Sequence, residues 1–135
     1  MGERYTLMKK PTPQEIYQAA LKERANPDPL KKRQACEKGW LAVTEAVDLY
    51  LTTHGIYVPK GRAETHVKRT TALVNLGSSE PEAQELADKV SKIADQLHGA
   101  CFYGGEDSPV YDTVLKKTVR EILELTGQWD NGQEE

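Results

Sequence analysis

The stretch Leu97-His98-Gly99-Ala100-Cys101-Phe102-Tyr103-Gly104-Gly105 carries the most information about the fold of this 135-residue chain. It completes an apolar helical pattern with two aromatic residues and then interrupts the helix with two glycines. Upstream, apolar residues recur at spacings of three and four, as on the buried face of an amphipathic helix. The residues predicted to face inward are Ala83, Leu86, Ala87, Val90, Ile93, Ala94, Leu97 and Cys101.

The other helices are marked by their ends. Thr12-Pro13-Gln14-Glu15, Asp28-Pro29 and Ser108-Pro109 each place a capping side chain before a proline that can start a helix, and Ser79-Glu80-Pro81-Glu82 has the form of a further capping box. The predicted helices run from Pro13 to just before Asn26-Pro27, from Pro29 to about His54, from about Arg62 to Leu76, from Ser79 to the Gly104-Gly105 break, and from Pro109 to Thr126-Gly127.

No segment alternates with period two for long enough to form a strand. Helices joined by short turns predict an all-α fold, an up-and-down antiparallel bundle of four to five helices. We expect one domain over residues 1–135, with its core at about 13–126 and flexible ends at 1–11 and 128–135. In the second of these ends, Trp129 is the residue expected to pack back onto the bundle.

The longest helix has two apolar stripes, whereas a surface helix needs only one. This pattern predicts a central place in the bundle and a flank for self-association, hence a homodimer; the alternative is that the first helix of the same chain covers the flank. One stripe comprises Cys36, Trp40, Val43, Val47, Tyr50 and His54, and the other comprises Leu41, Ala42, Ala46 and Leu49.

Composition is that of a globular protein with 29% charged and 38% hydrophobic residues, and its net charge of -3 argues against nucleic-acid binding over the whole surface. No apolar run approaches the length of a membrane span, and the first residues show no secretory signal. Cys36 and Cys101 lie on apolar helix faces, where we expect free, buried thiols; a disulfide or a reactive thiol is the alternative. These observations together predict a cytoplasmic protein that does not associate with membranes.

A short basic segment is the strongest candidate for chemistry. Arg62 and His66 lie four residues apart, so they share one helix face, where the arginine could hold a phosphodiester while the imidazole moves a proton. The alternative is that His66 belongs to an inward line with Ala63, Val67, Thr70 and Val74 and that the basic residues form a solvated face. The candidate nucleic-acid or nucleotide-binding residues are Lys60, Arg62, His66, Lys68 and Arg69, of which Arg62 and His66 are the candidate catalytic pair.

The remaining histidines read as structural. His54 and His98 lie near helix ends, where a histidine interacts favourably with the helix dipole. The three histidines show no spacing typical of a metal site, and no glycine-rich phosphate loop is present, so we predict neither a metal nor a cofactor. The aromatic residues lie at core spacings and are predicted to be buried.

Two segments carry a resemblance to a known family. Ala35-Cys36-Glu37-Lys38-Gly39-Trp40, followed by Ala42 and Ala46, resembles the second helix of HEPN-type domains, and the segment from Leu97 to Gly104 resembles the Leu-His…Phe-Tyr segment of the archaeal PaREP family within that superfamily. The resemblance covers about residues 13–126 and implies an up-and-down helical bundle that is often dimeric.

The resemblance also frames the functional hypotheses. Many HEPN domains are metal-independent ribonucleases that use a closely spaced arginine and histidine, while others bind nucleotides or partner a nucleotidyltransferase. Here Arg62 and His66 have three residues between them, fewer than that pattern has, and the last helix contains Arg120 but no histidine. We therefore expect a non-catalytic bundle that binds a nucleotide, RNA or a protein partner. The alternatives are a ribonuclease that uses Arg62 and His66, and a subunit that partners a nucleotidyltransferase.

Overall fold

The structure is a computed structural model that describes residues 10–58 and 65–133. Over these residues the chain forms an all-α helical bundle, as predicted, with no strand. No helix in this part of the chain is both long and apolar enough to cross a membrane. The elements are α1 (Pro13–Arg24), α2 (Pro29–Thr53), α3 (Thr65–Leu76), α4 (Pro81–Ile93), a π-helix π1 (Ala94–Tyr103), α5 (Pro109–Thr113), a second π-helix π2 (Val114–Val119), α6 (Arg120–Leu125) and a 3₁₀ turn (Asn131–Gln133).

Three helices begin at the capping residues that the sequence predicts. The Thr12 hydroxyl accepts the backbone N–H of Glu15, whose carboxylate accepts the backbone N–H of Thr12, which completes a capping box. Asp28 and Ser108 each accept a backbone N–H from the first turn of α2 and α5. These side chains satisfy donors that a helix start leaves without partners, which explains why the predicted boundaries hold.

The predicted capping box at Ser79 is wrong. The N-cap of α4 is Glu80, which makes no side-chain capping bond. The Ser79 hydroxyl instead donates to the carbonyl oxygen of Leu76, at 3.3 Å. Ser79 therefore provides a hydrogen bond to a backbone carbonyl at the end of α3 rather than accepting a backbone N–H at the start of α4.

Helix α2 lies at the centre of the bundle and contacts α1, α3, π1, π2 and α6. Gly39 makes this close packing possible, because a Cβ at this position would overlap the Leu115 side chain and lie 3.2 Å from that of Leu97. The second apolar stripe is only half buried, since Leu41 and Leu49 are 47% and 45% exposed. The buried residues of α2 are Ala35, Cys36, Gly39, Trp40, Ala42, Val43, Ala46, Val47, Tyr50 and Leu51.

The prediction of free cysteines is wrong. Cys36 on α2 and Cys101 on π1 form a disulfide, and both residues are fully buried. Helical periodicity placed both residues on apolar faces correctly, but it carries no information on which faces meet. The disulfide also removes one reason for predicting a cytoplasmic protein, because disulfides are rare in reducing compartments.

Helix α3 turns a different face inward from the one that the sequence predicts. Val67 and Val74 are 63% and 47% exposed, and the buried residues of this helix are Arg69 and Leu73. Arg69 is buried because Asp48 on α2 accepts its guanidinium through both carboxylate oxygens, at 2.7 and 3.1 Å. A hydrophobic period alone cannot anticipate an inward-facing charge whose partner lies on another helix.

The chain after α6 returns to α1. Trp129 packs edge-on against Tyr17, with ring centroids 5.7 Å apart, and the Arg120 guanidinium lies 4.5 Å from the Trp129 ring. Gln14, which is almost fully buried, exchanges two hydrogen bonds with the backbone of Asp130. Trp129 therefore packs back as expected.

Candidate functional site

One face of α2 holds the π-helix π1 through several kinds of contact. The face includes Arg33, Cys36, Glu37 and Trp40. Cys36 and Glu37 are neighbours in sequence, and each lies three or four residues from Arg33 and from Trp40, so all four share one side of the helix. Arg33 donates to the carbonyl oxygen of Phe102 from Nε and Nη2, at 3.0 and 2.7 Å. The same face carries three further contacts with π1. Cys36 forms a disulfide with Cys101, the Glu37 carboxylate is hydrogen-bonded to His98, and the Trp40 ring stacks on the His98 ring. The end of π1 is thus fixed relative to α2.

The widened turn of π1 gathers aromatic rings around His98. In a π-helix the backbone bonds run from residue i to i+5, so the residues four and five positions later both lie next to a given side chain. The His98 ring lies 6.5 Å from that of Phe102 and 4.9 Å from that of Tyr103, between centroids. Local π-helical turns are frequently found at functional sites.

Trp40, His98 and Phe102 form a row of roughly parallel rings. The centroids of Trp40 and His98 are 5.7 Å apart with planes inclined by 30°, and the planes of His98 and Phe102 are inclined by 18°. Glu37 Oε1 lies 2.8 Å from His98 Nδ1, so with the proton on Nδ1 the Glu37 carboxylate accepts a hydrogen bond that orients the ring.

His66 also packs against Trp40. Its ring contacts the Trp40 ring edge-on, with centroids 5.4 Å apart, and its buried Nδ1 atom has no hydrogen-bond partner among the residues that the structure describes. Burial first, and then the nearby charges of Arg69 and His98, lower the pKa of His66 below the ordinary value of a histidine, while Asp95 opposes this shift. The imidazole is therefore neutral at pH 7, and it holds an unused polar atom next to Trp40.

Several of these side chains border a groove between α2, the start of α3 and the end of π1. Its volume is about 840 Å³, within the range of small-molecule sites. Apolar and aromatic side chains provide most of its surface, and a few polar groups converge on it. The lining residues are Gln34, Glu37, Lys38, Trp40, Leu41, Thr44, Thr65, His66, Arg69 and Phe102.

The structure separates the predicted basic residues. His66 and Arg69 line the groove, but the guanidinium of Arg69 is paired with Asp48, and its side chain is only 6% exposed. Lys68 is exposed on α3 and does not line the groove. Lys60 and Arg62, the latter being one half of the predicted catalytic pair, lie outside the described residues.

Sequence reasoning missed the Glu37–His98 pair, of which Glu37 lines the groove. The two residues are 61 positions apart, so no local spacing connects them. Each taken alone has an ordinary explanation, as a solvent-facing acid and as a helix-end histidine. The sequence shows only that His98 follows the inward-facing Leu97, and this position does not reveal that the π turn brings the imidazole to Glu37 on α2.

No group of three histidine, cysteine, aspartate or glutamate residues within 10–58 and 65–133 is arranged to hold a metal ion. Comparison of the chain with family models, with curated proteins and with solved structures gives no match. The resemblance to HEPN-type and PaREP proteins therefore stays a prediction from the sequence.

Proposed function

We propose that this protein binds a nucleobase in this groove, which we therefore call the base groove, as part of a free nucleotide or of single-stranded RNA. The observation that carries the proposal is that the rings of Trp40, His66 and Phe102 line one groove, while the His98 ring contacts those of Trp40 and Phe102. Bases stack favourably on aromatic and histidine rings, and each such contact is worth about 1–3 kcal/mol.

The polar groups of the groove suit a base better than a purely apolar ligand. Glu37 provides a carboxylate that can accept a hydrogen bond from an exocyclic amino group, and Gln34 provides an amide that can both donate and accept hydrogen bonds. His66 Nδ1 is buried without a partner among the described residues, and a ligand that bonds this atom would remove the cost of leaving it unsatisfied. Shape, aromatic surface and unsatisfied polarity thus favour the same class of ligand.

Charge supports a ligand of limited size. The chain has a net charge of -3, so a long nucleic acid would meet a repulsive surface. Near the groove, Lys38 lies at the rim and Lys68 is exposed two residues after His66, while Lys60 and Arg62 precede this histidine in the chain. In this proposal the phosphate of the bound nucleotide meets Lys38 and the basic residues that flank His66 in the sequence.

The test is a titration of a labelled single-stranded oligoribonucleotide and of AMP at low and moderate salt. The test variant is Lys60→Glu/Arg62→Glu/Lys68→Glu, which spares the buried ion pair of Arg69. We expect oligoribonucleotide binding that weakens with salt and is lost in this variant, because phosphate contacts release counterions. The control, Lys92→Glu/Lys116→Glu/Lys117→Glu, makes the same change of net charge on three exposed lysines that do not line the base groove and should bind as wild type does. Absence of binding for both ligands at low salt would contradict the proposal and favour a protein partner.

A second candidate function is metal-independent RNA cleavage, with Arg62 holding phosphate and His66 as the proton acceptor. The observation that favours it is the lowered pKa of His66, because a neutral imidazole can take a proton from a ribose 2′-hydroxyl. RNA cleavage that disappears in His66→Ala would support it. Intact RNA after long incubation would contradict it and leave binding as the function.

We also propose that two copies associate through the outer face of α2. Leu41 and Leu49 lie eight positions apart on this face and are each nearly half exposed, and Val67 and Val74 on α3 are also exposed. A two-fold dimer would place the same face against itself and cover these side chains. Leu41 also lines the base groove, so the two grooves of such a dimer would lie beside the interface.

A further inference from the structure

The disulfide lies inside the wall of the base groove. Cys36 immediately precedes Glu37 on α2, and Cys101 lies between His98 and Phe102 in sequence on π1. The disulfide therefore joins α2 to π1, as the Glu37–His98 hydrogen bond does. Cys36 is one residue from Glu37 on α2, and Cys101 is three residues from His98 on π1. The geometry of the aromatic row depends on the same relative placement of α2 and π1.

Arg24 covers both sulfur atoms. Its Nη1 atom lies 3.9 Å from the sulfurs of both Cys36 and Cys101, and its side chain is 5% exposed. The same guanidinium donates to the carboxylates of Asp107 and Asp112, at 3.0 and 2.9 Å. A positively charged group beside sulfur stabilises a thiolate, as at many redox-active cysteines.

We propose that the thiol–disulfide state of Cys36 and Cys101 sets the ligand affinity of the base groove. This inference rests on the proposed function of the groove. The reductant is an external dithiol: one of its thiolates attacks a cysteine sulfur and forms a mixed disulfide, and its second thiol then resolves this bond. The dithiol is oxidised to its own disulfide, and Cys36 and Cys101 each gain a proton or remain as thiolate.

Reduction acts on the groove in two ways. It removes the covalent bond between α2 and π1, and a new thiolate attracts the Arg24 guanidinium away from Asp107. The segment from Gly104 to Asp107 is exposed, and Arg24 also donates to the carbonyl oxygen of Ser108 beside it, at 3.2 Å. Opening of this segment is the route by which the dithiol reaches the buried sulfurs. The contacts of Arg33 with Phe102 remain, so π1 is loosened rather than released.

The experiment compares three proteins: oxidised wild type, wild type reduced by excess dithiothreitol, and Cys36→Ala/Cys101→Ala. Each is titrated with the labelled oligoribonucleotide, and hydrogen exchange of residues 97–108 is followed in the absence of ligand. Val90→Ala on α4 is the control, because it removes buried volume from an element that carries none of Cys36, Cys101 and Arg24. We expect about tenfold weaker binding in the two proteins that lack the disulfide, with faster exchange over 97–108, because a loosened site must be ordered again on binding. Val90→Ala should retain wild-type affinity.

Affinity within twofold of wild type in Cys36→Ala/Cys101→Ala, with unchanged exchange over 97–108, would overturn the inference. If oxidised wild type binds no RNA, the proposed function fails, and the exchange rates alone then decide whether the disulfide holds π1 on α2. Equal exchange in all three proteins would overturn the inference in that case as well. Faster exchange with unchanged binding would show a structural disulfide that does not regulate the groove.

Discussion

At the scale of single residues, Arg69 is the clearest case in which a side chain predicted to face a ligand serves the fold. Its guanidinium and the Asp48 carboxylate are paired across α3 and α2, and their side chains are 6% and 12% exposed. Ions taken out of water need their partner, so removal of one member costs more than replacement of both by apolar groups.

Arg69→Met should therefore lower the free energy of unfolding by about 3 kcal/mol, because Asp48 is left largely buried and unpaired. The double variant Asp48→Leu/Arg69→Met should recover most of this loss. Urea unfolding of the two variants and of wild type measures both effects. A loss below about 1 kcal/mol in Arg69→Met would show that the pair is solvated in solution.

His66 is expected to titrate below 6.5, the ordinary pKa of a histidine, since its burial beside Arg69 disfavours the charged imidazole. Below pH 6.5, the His66 imidazole therefore binds a proton more readily in the unfolded chain than in the folded protein. The contribution of His66 to stability is therefore fully present above pH 6.5 and decreases as the pH falls below it. An NMR titration of the imidazole Cε1 proton, assigned with His66→Gln, gives the midpoint. A midpoint at or above 6.5 would contradict the described environment.

At the scale of helices, boundaries were predictable where a side chain caps its own backbone. The starts of α1 and α2 follow from Thr12 and Asp28, which act within three residues along the chain. The inward face of α3 was not predictable, because the burial of Arg69 depends on Asp48, 21 residues away. Local chemistry is visible in a sequence, whereas pairing between helices is not.

The base groove divides in the same way. The basic segment indicated His66, which does line the groove. The Glu37–His98 pair and the Cys36–Cys101 bond were not predictable, because each joins α2 to π1 across more than 60 residues. The π-helical turn that gathers Phe102 and Tyr103 around His98 has no sequence signature comparable with a capping box. Only the packing of π1 against α2 shows these contacts.

The bond between α2 and π1 should also stabilise the whole fold. It closes a loop of 65 residues, and a chain-entropy estimate for a loop of this length gives about 4 kcal/mol. The free energy of unfolding of Cys36→Ala/Cys101→Ala should therefore be lower than that of oxidised wild type by about this amount, as measured by urea unfolding. Two free thiols in denatured wild type that was never exposed to reductant would contradict the disulfide itself.

At the scale of the whole molecule, the exposed apolar residues on α2 and α3 predict self-association. Sedimentation equilibrium should give a dimer for wild type and a monomer for Leu41→Glu/Leu49→Glu, because the introduced carboxylates would be buried against each other in a two-fold interface. Tyr57→Glu/Val110→Glu is the matched control, since these two exposed apolar residues lie on neither α2 nor α3. A monomeric wild type at all concentrations would contradict the dimer without affecting the base groove.

The central claim is that the ligand occupies the groove beside Trp40, and the two tryptophans of the chain allow it to be tested directly. Trp129→Phe leaves Trp40 as the only indole, at the base groove, whereas Trp40→Phe leaves Trp129, which packs against Tyr17 on α1 and does not line the groove. Titration of AMP and of the oligoribonucleotide, with excitation at the red edge of indole absorption, should quench Trp40 in the first protein. The same ligands should leave Trp129 unchanged in the second. Quenching of Trp129 alone, or of neither residue, would contradict a nucleobase site at this groove.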